Sequence, residues 1–169
     1  MNTVIQILII ILMPKQIPTT YVGCFEGEVL VDAYGRFPGA TAKDLEALYK
    51  IAYAEAGIDG KKGMKAVVWS IERRTQHRQW KGMSLFDIIS QAGQFDGYES
   101  KYYNSDLPKE VFKAVREAMR DKNEIPRNYV YFCNPKASTC GWFFDVIIEP
   151  QREKVIRIGR HDYYPDPKI

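Results

Sequence analysis

The chain has 169 residues, with 24 Lys and Arg against 21 Asp and Glu, giving a net charge of +3 and a pI near 8.7. That length fits one domain with a substantial core and leaves little room for a second. The charge excess is small and forms no long Lys/Arg tract, which argues against a nucleic-acid partner. Two histidines and three scattered cysteines offer no zinc spacing, so no metal or other cofactor is expected.

Val4 to Met13 is an apolar run broken only by Gln6, about half the ~20 residues that a spanning helix needs. Its length suits the hydrophobic region of a secretion signal, although no Lys or Arg precedes it and Lys15 follows it. Residues 1–20 therefore read as an export signal or membrane-associating segment, unless translation begins at Met13. Residues 21–40 read as a connecting arm with one short strand at Val29 to Val31, closed by the loop-forming Gly35 to Gly39 cluster. A folded domain is expected over residues 41–169.

Thr41 and Asp44 make a variant of the capping box, opening a helix from Lys43 to Ala56 with Gly57 as its stop. Leu45, Leu48 and Ala52 form an apolar stripe along it, and the next position on that stripe is Glu55. A carboxylate placed there points toward the protein body. Apolar surroundings disfavour its charged form and raise its pKa, as a general acid requires. The competing reading is a partly exposed Glu at a frayed helix end.

A second helix is expected from Gly63 to Arg73 or Arg74, with Met64, Val67, Val68 and Ile71 facing inward. Ser84 caps a short helix carrying Leu85, Ile88 and Ile89, and Gln91 to Tyr98 is glycine-punctuated loop. Asp106 as N-cap and Pro108 in the first turn open a fourth helix with Val111, Val115, Ala118 and Met119 buried. Beyond Pro126 the pattern turns to β, with strands at Tyr129 to Phe132 and Val155 to Ile158 and another at Phe143 to Ile148. Helices first and strands later indicate an α+β domain, with a helical first half and a small β region in the C-terminal half. Cys133 and Cys140 enclose a six-residue segment that a disulfide would pin in an exported protein.

Taken singly, Gln94, Asn134, Trp142 and His161 are residues beside a glycine, a proline or a loop, and each has a purely structural explanation. Their order is more telling: Tyr53-Ala-Glu-Ala56, Gly63, Ala66-Val-Val68 leading to Arg74, Gly93-Gln-Phe95, Tyr131-Phe-Cys-Asn-Pro135, Trp142 and Ile158-Gly-Arg-His-Asp-Tyr-Tyr164. This series, over residues 45–164, resembles the cell-wall hydrolases typified by the spore-cortex-lytic enzymes, often called the SleB type. The resemblance implies a lysozyme-like α+β domain acting on the glycan strands of peptidoglycan. It places Glu55 on the family's catalytic Glu, and Gln94, Phe95, Asn134, Trp142 and His161 in or behind the cleft. Where that family carries a second acid as Gly-Glu, this chain has Ile58-Asp59. Where Asn-Arg ends the second helix it has Arg73-Arg74, and the Ser that often follows Gly-Gln-Phe is Asp96.

The implied activity is lytic transglycosylation at the MurNAc–GlcNAc β-1,4 bond, with Glu55 alone as acid and then base. A muramidase would add a second carboxylate, Asp59 first and then Glu72 or Asp96. A non-catalytic wall-binding or virion-structural domain and a thiol peptidase built on Cys133 or Cys24 with His161 are the rival classes. Such an enzyme would be exported or held at the cell envelope, or released at lysis if phage-encoded as an endolysin.

Overall fold

The computed structural model describes residues 21–168 apart from residue 33, so the apolar run at Val4 to Met13 lies outside the described residues. The arm carries two strands where one was expected. β1 (Tyr21–Phe25) and β2 (Glu28–Val31) form an antiparallel hairpin. Both residues of its turn, Glu26 and Gly27, have positive φ (50° and 75°), the backbone twist that a two-residue hairpin favours. The hairpin is fastened to the domain. Leu30 is buried in the core, and the Glu26 carboxylate accepts from the Leu107 backbone N–H at 2.9 Å.

α1 (Ala42–Ala56) begins as its sequence indicates: Thr41 Oγ1 accepts from the Asp44 N–H at 3.3 Å, and Asp44 Oδ2 accepts from the Thr41 N–H at 2.9 Å. The other Asp44 oxygen accepts from the Phe86 N–H at 2.7 Å and ties the start of α1 to α3 (Leu85–Ser90). Leu45, Leu48 and Ala52 are fully buried. The end of α1 differs from expectation. Gly57 stays right-handed and the chain winds on as a 3-10 turn (Gly57–Asp59), reversing only at Gly60, whose φ is +66°. Gly57 matters for another reason: a Cβ there would lie 2.6 Å from the Tyr53 ring.

α2 (Gly60–Thr75) is buried on nearly every side, not along one stripe. Met64, Val67, Val68 and Ile71 are inward as expected, but so are Trp69, Glu72 and Arg74, because α1, α4 (Lys109–Arg120) and the sheet all pack on it. Its polar groups are met from a distance along the chain. Trp69 Nε1–H donates to the Ala118 carbonyl at 2.9 Å, and Glu72 accepts from Asn123 at 2.7 Å and Arg36 at 3.1 Å. α4 starts two residues later than an N-cap at Asp106 implies. Pro108 is itself the N-cap, no side chain caps the end, and Asp106 takes no part.

The expected strand at Phe143 to Ile148 is a helix. Residues 141–151 form α5, with Phe144–Ile148 wound as a π-helix. β-branched Val146, Ile147 and Ile148 suggested a strand, but burial follows a four-residue period: Ile147 and Gln151 are buried and Phe143 is half-buried. The sheet has the order β3-β5-β4, all antiparallel, from β3 (Tyr129–Cys133), β4 (Ile156–Ile158) and β5 (His161–Pro165). Its central strand, β5, is buried along its whole length although it reads His-Asp-Tyr-Tyr-Pro. The architecture is α+β, helices first and a small sheet last. Among the described residues no helix is long and apolar enough to cross a membrane.

Candidate active site

The last turn of α1, the loop at residues 93–97, β3 and the segment leading into α5 enclose a cleft of about 220 Å³. Glu55 lines it, together with Gln94, Phe95, Asn134, Trp142 and His161. Asp59 does not. A larger cavity of about 690 Å³, bordered by Arg36, Phe37 and Glu72, shares no lining residue with the cleft. Its two buried carboxylates, Asp44 and Glu72, are already occupied by hydrogen bonds. The smaller cleft is therefore where unspent chemical groups converge.

Glu55 continues the apolar stripe of α1 into the cleft wall. Its Oε1 accepts the Gly97 backbone N–H at 2.6 Å, and no described residue donates to Oε2. Burial is the main cause that pushes its pKa up from 4.5 to about 7. The Gly97 hydrogen bond opposes the rise, the Asp96 charge adds to it, and the Arg74 guanidinium pulls it down. A carboxyl poised near neutrality can give a proton and later take one back. Gly97 has no room for a side chain: a Cβ would lie 2.8 Å from Glu55 Oε1 and 2.9 Å from Ala54 Cβ. Gly97→Ala is therefore expected to displace the carboxyl and reduce kcat roughly a hundredfold with the fold retained. Steady-state kinetics with a circular dichroism control checks this.

Arg74 lies beneath the cleft, and sequence reading gave it no role. It is buried, donates through Nε to the Val130 carbonyl at 2.8 Å and reaches Gln94 Oε1 at 3.4 Å. Its guanidinium is 4.5 Å from the Phe95 ring centre and 5.3 Å from that of Trp80. Burial lowers its pKa to about 10, so it remains a cation at neutral pH. A signal for it was present: Arg74 continues the Val67–Ile71 stripe of α2 as Glu55 continues that of α1.

Asp59 lies behind the cleft wall and pairs with His161, which lines the cleft. Asp59 Oδ1 accepts from Arg160 Nε at 3.0 Å, and Oδ2 lies 3.2 Å from His161 Nδ1, poorly aligned for a linear hydrogen bond. Asp59 is the N-cap of α2, yet its side chain caps nothing there and turns to the β4–β5 corner instead. Gly63 and Gly159 flank it, and a Cβ on either would lie 2.5 Å and 2.9 Å from the Asp59 side chain. Burial lowers the His161 pKa against the Asp59 charge, and the ring packs edge-on to Phe132 at 5.4 Å.

The remaining predicted residues differ in character. Phe95 is a buried wall, 5.8 Å from Phe132, whereas Trp142 stands 59% exposed at the rim. Asn134 Oδ1 accepts from the Lys136 N–H at 3.1 Å, so it holds its own turn while lining the cleft. Cys133 and Cys140 also line it, unbridged. Burial pushes the Cys133 thiol up to about 11, a poor starting point for a thiol nucleophile. Among the described residues no cluster of His, Cys, Asp and Glu is arranged to hold a metal.

Residues 58–164, more than half of the chain, match the sequence pattern of a family described as Cell Wall Hydrolase; the match begins just beyond Glu55. Two solved structures share the fold. The catalytic domain of the germination-specific lytic transglycosylase SleB from Bacillus anthracis superposes with a TM-score of 0.61 at 19% identity, over 75% of this chain and 98% of that one. The catalytic domain of the Bacillus cereus SleB protein gives 0.59 at 20% identity, over 75% and 93%. No curated protein matches the sequence.

Proposed function

We propose that this chain, which belongs to the cell wall hydrolase family, cuts the MurNAc–GlcNAc β-1,4 bond of peptidoglycan glycan strands as a lytic transglycosylase. The observation that carries the reading is Glu55 itself: a carboxyl held by one backbone N–H at the wall of a cleft, with a pKa raised by burial to about 7. Protonated Glu55 donates to the glycosidic oxygen as the C1–O bond breaks, and the electron pair stays with the departing GlcNAc oxygen. The carboxylate then takes the proton of the muramyl C6 hydroxyl, whose oxygen closes on C1 to give the 1,6-anhydro ring. Glu55 ends as it began, protonated, so a single carboxyl completes the cycle.

The other groups have supporting parts. Gly97 fixes the direction of the carboxyl, and Arg74 favours the ionised form that exists between the two proton transfers. Trp142 at the rim offers its face to sugar rings, and buried Phe95 backs the cleft wall. Asp59 acts through His161 as a positioning residue. The substrate lies outside the cytoplasmic membrane, so the chain would work after export, at the envelope, or on release at lysis.

Digestion of purified peptidoglycan followed by mass spectrometry tests the reading. Fragments ending in 1,6-anhydro-muramyl residues are expected. Cleavage confined to peptide bonds, or binding without cleavage, would overturn it.

A further inference from the structure

Three acidic residues on or near the elements around Glu55 are candidates to work beside it, and two are committed elsewhere. Asp59 is wedged between two glycines, with its oxygens on Arg160 and His161 and its side chain only 5% exposed. Glu72 is held by Asn123 and Arg36 and faces the other cavity. Asp96 is different. It lines the cleft with Glu55, its side chain is exposed to solvent, and no Lys or Arg among the described residues pairs with it. The next residue, Gly97, is the one whose N–H grips Glu55 Oε1 at 2.6 Å, so the backbone fixes Asp96 immediately beside the acid. The Asp96 charge is felt at Glu55, where it adds to the rise caused by burial.

We propose that Asp96 is the second carboxylate of this site and gives the chain a hydrolytic outlet, activating a water that captures C1 in competition with the C6 hydroxyl. The proposal rests on the glycan-cleaving reading above. Glu55 again protonates the glycosidic oxygen and the C1–O bond breaks, its electron pair leaving with the GlcNAc oxygen. A water oxygen then bonds to C1 while Asp96 accepts one water proton, leaving a reducing muramyl end. Solvent takes the proton from Asp96 and returns one to Glu55, so the net reaction consumes one water. The two outlets differ only in which base finds which proton: Glu55 with the C6 hydroxyl, or Asp96 with water. Asp96, exposed at the cleft, has direct access to that water, whereas Glu55 is half-buried with Oε1 engaged by the Gly97 N–H.

The test uses intact sacculi whose reducing ends have first been converted to alditols with borohydride, and counts anhydro ends above those of an undigested control. Anhydro and reducing muramyl ends differ in mass by one water. The wild-type chain is expected to produce both. Asp96→Asn keeps the shape and loses the base, and should lower the ratio of reducing to anhydro ends roughly a hundredfold. Asp96→Glu restores a carboxylate and should bring the ratio back toward wild type. The position is exposed, so melting curves of both variants should overlay that of the parent. An unchanged ratio in Asp96→Asn, or anhydro ends alone from the wild type, would overturn the assignment of Asp96. No new glycan end of either kind from the wild type would instead remove the reading on which it rests.

Discussion

Glu55→Gln should abolish glycan cleavage, lowering kcat/KM by about a thousandfold or more, while the protein becomes more stable at alkaline pH. The amide keeps the size of the side chain and can still accept from the Gly97 N–H, but it has no proton to give the glycosidic oxygen. The gain in stability comes from the same burial that prepares the acid. Glu55 titrates near 4.5 when unfolded and at about 7 in the fold. Between those values the folded chain keeps a proton that the unfolded chain has released, so stability falls as pH rises through the window and stays lower above it. Removing the carboxyl lifts that penalty. At pH 8 the variant should be more stable by on the order of 2 kcal/mol, and below about pH 4 this difference should vanish. Urea melts of both proteins at the two pH values measure it. Equal stability at pH 8 would mean that the fold does not desolvate the carboxyl enough to disfavour its charge.

The second large effect is expected at Arg74. Arg74→Ala strips the Val130 carbonyl of its donor and empties the space against Phe95, Trp80 and Phe132. A buried acceptor left unpaired costs about 1–3 kcal/mol, and the void adds to that. A loss of about 3 kcal/mol corresponds to roughly 10 °C in Tm for a domain of this size. Arg74→Met fills most of the volume and should recover part of the stability without restoring the charge. In the Met variant the cation that favours ionised Glu55 is gone, so the Glu55 pKa should rise further. The alkaline limb of the pH–rate profile should then move to higher pH. A melting temperature unchanged in Arg74→Ala would contradict the burial of the guanidinium, and an unmoved limb in Arg74→Met would contradict its influence on Glu55.

The parts of this protein that could be read in its sequence are those governed by local rules. The Thr41–Asp44 capping box, the stripe of α1 and the short helix behind Ser84 depend on contacts within a few residues, and they stand as expected. Glu55 was legible for the same reason, since its place on the stripe follows from helical period alone. β5 was not, because its burial comes from being the middle strand between β3 and β4, and its own residues are largely polar. The helix at residues 141–151 was hidden by three β-branched residues whose inward spacing only the packed fold decides. The setting of Asp59 is the clearest case. Its nearness to Glu55 in sequence suggested a catalytic partner, whereas its carboxylate does not line the cleft and meets Arg160 and His161, about a hundred residues away. Asp96, farther along the chain, shares the cleft instead.

The central claim is that one half-buried carboxyl, poised near neutrality, carries the proton both ways. Its most direct test is titration of the Glu55 side-chain carboxyl by carbon-13 NMR, set beside the pH dependence of kcat/KM for glycan cleavage. A single apparent pKa near 7 is predicted in both, with kcat/KM falling about tenfold per pH unit above it and the NMR transition missing from Glu55→Gln. A Glu55 carboxyl that titrates at an ordinary value near 4.5 while cleavage still proceeds at neutral pH would contradict it.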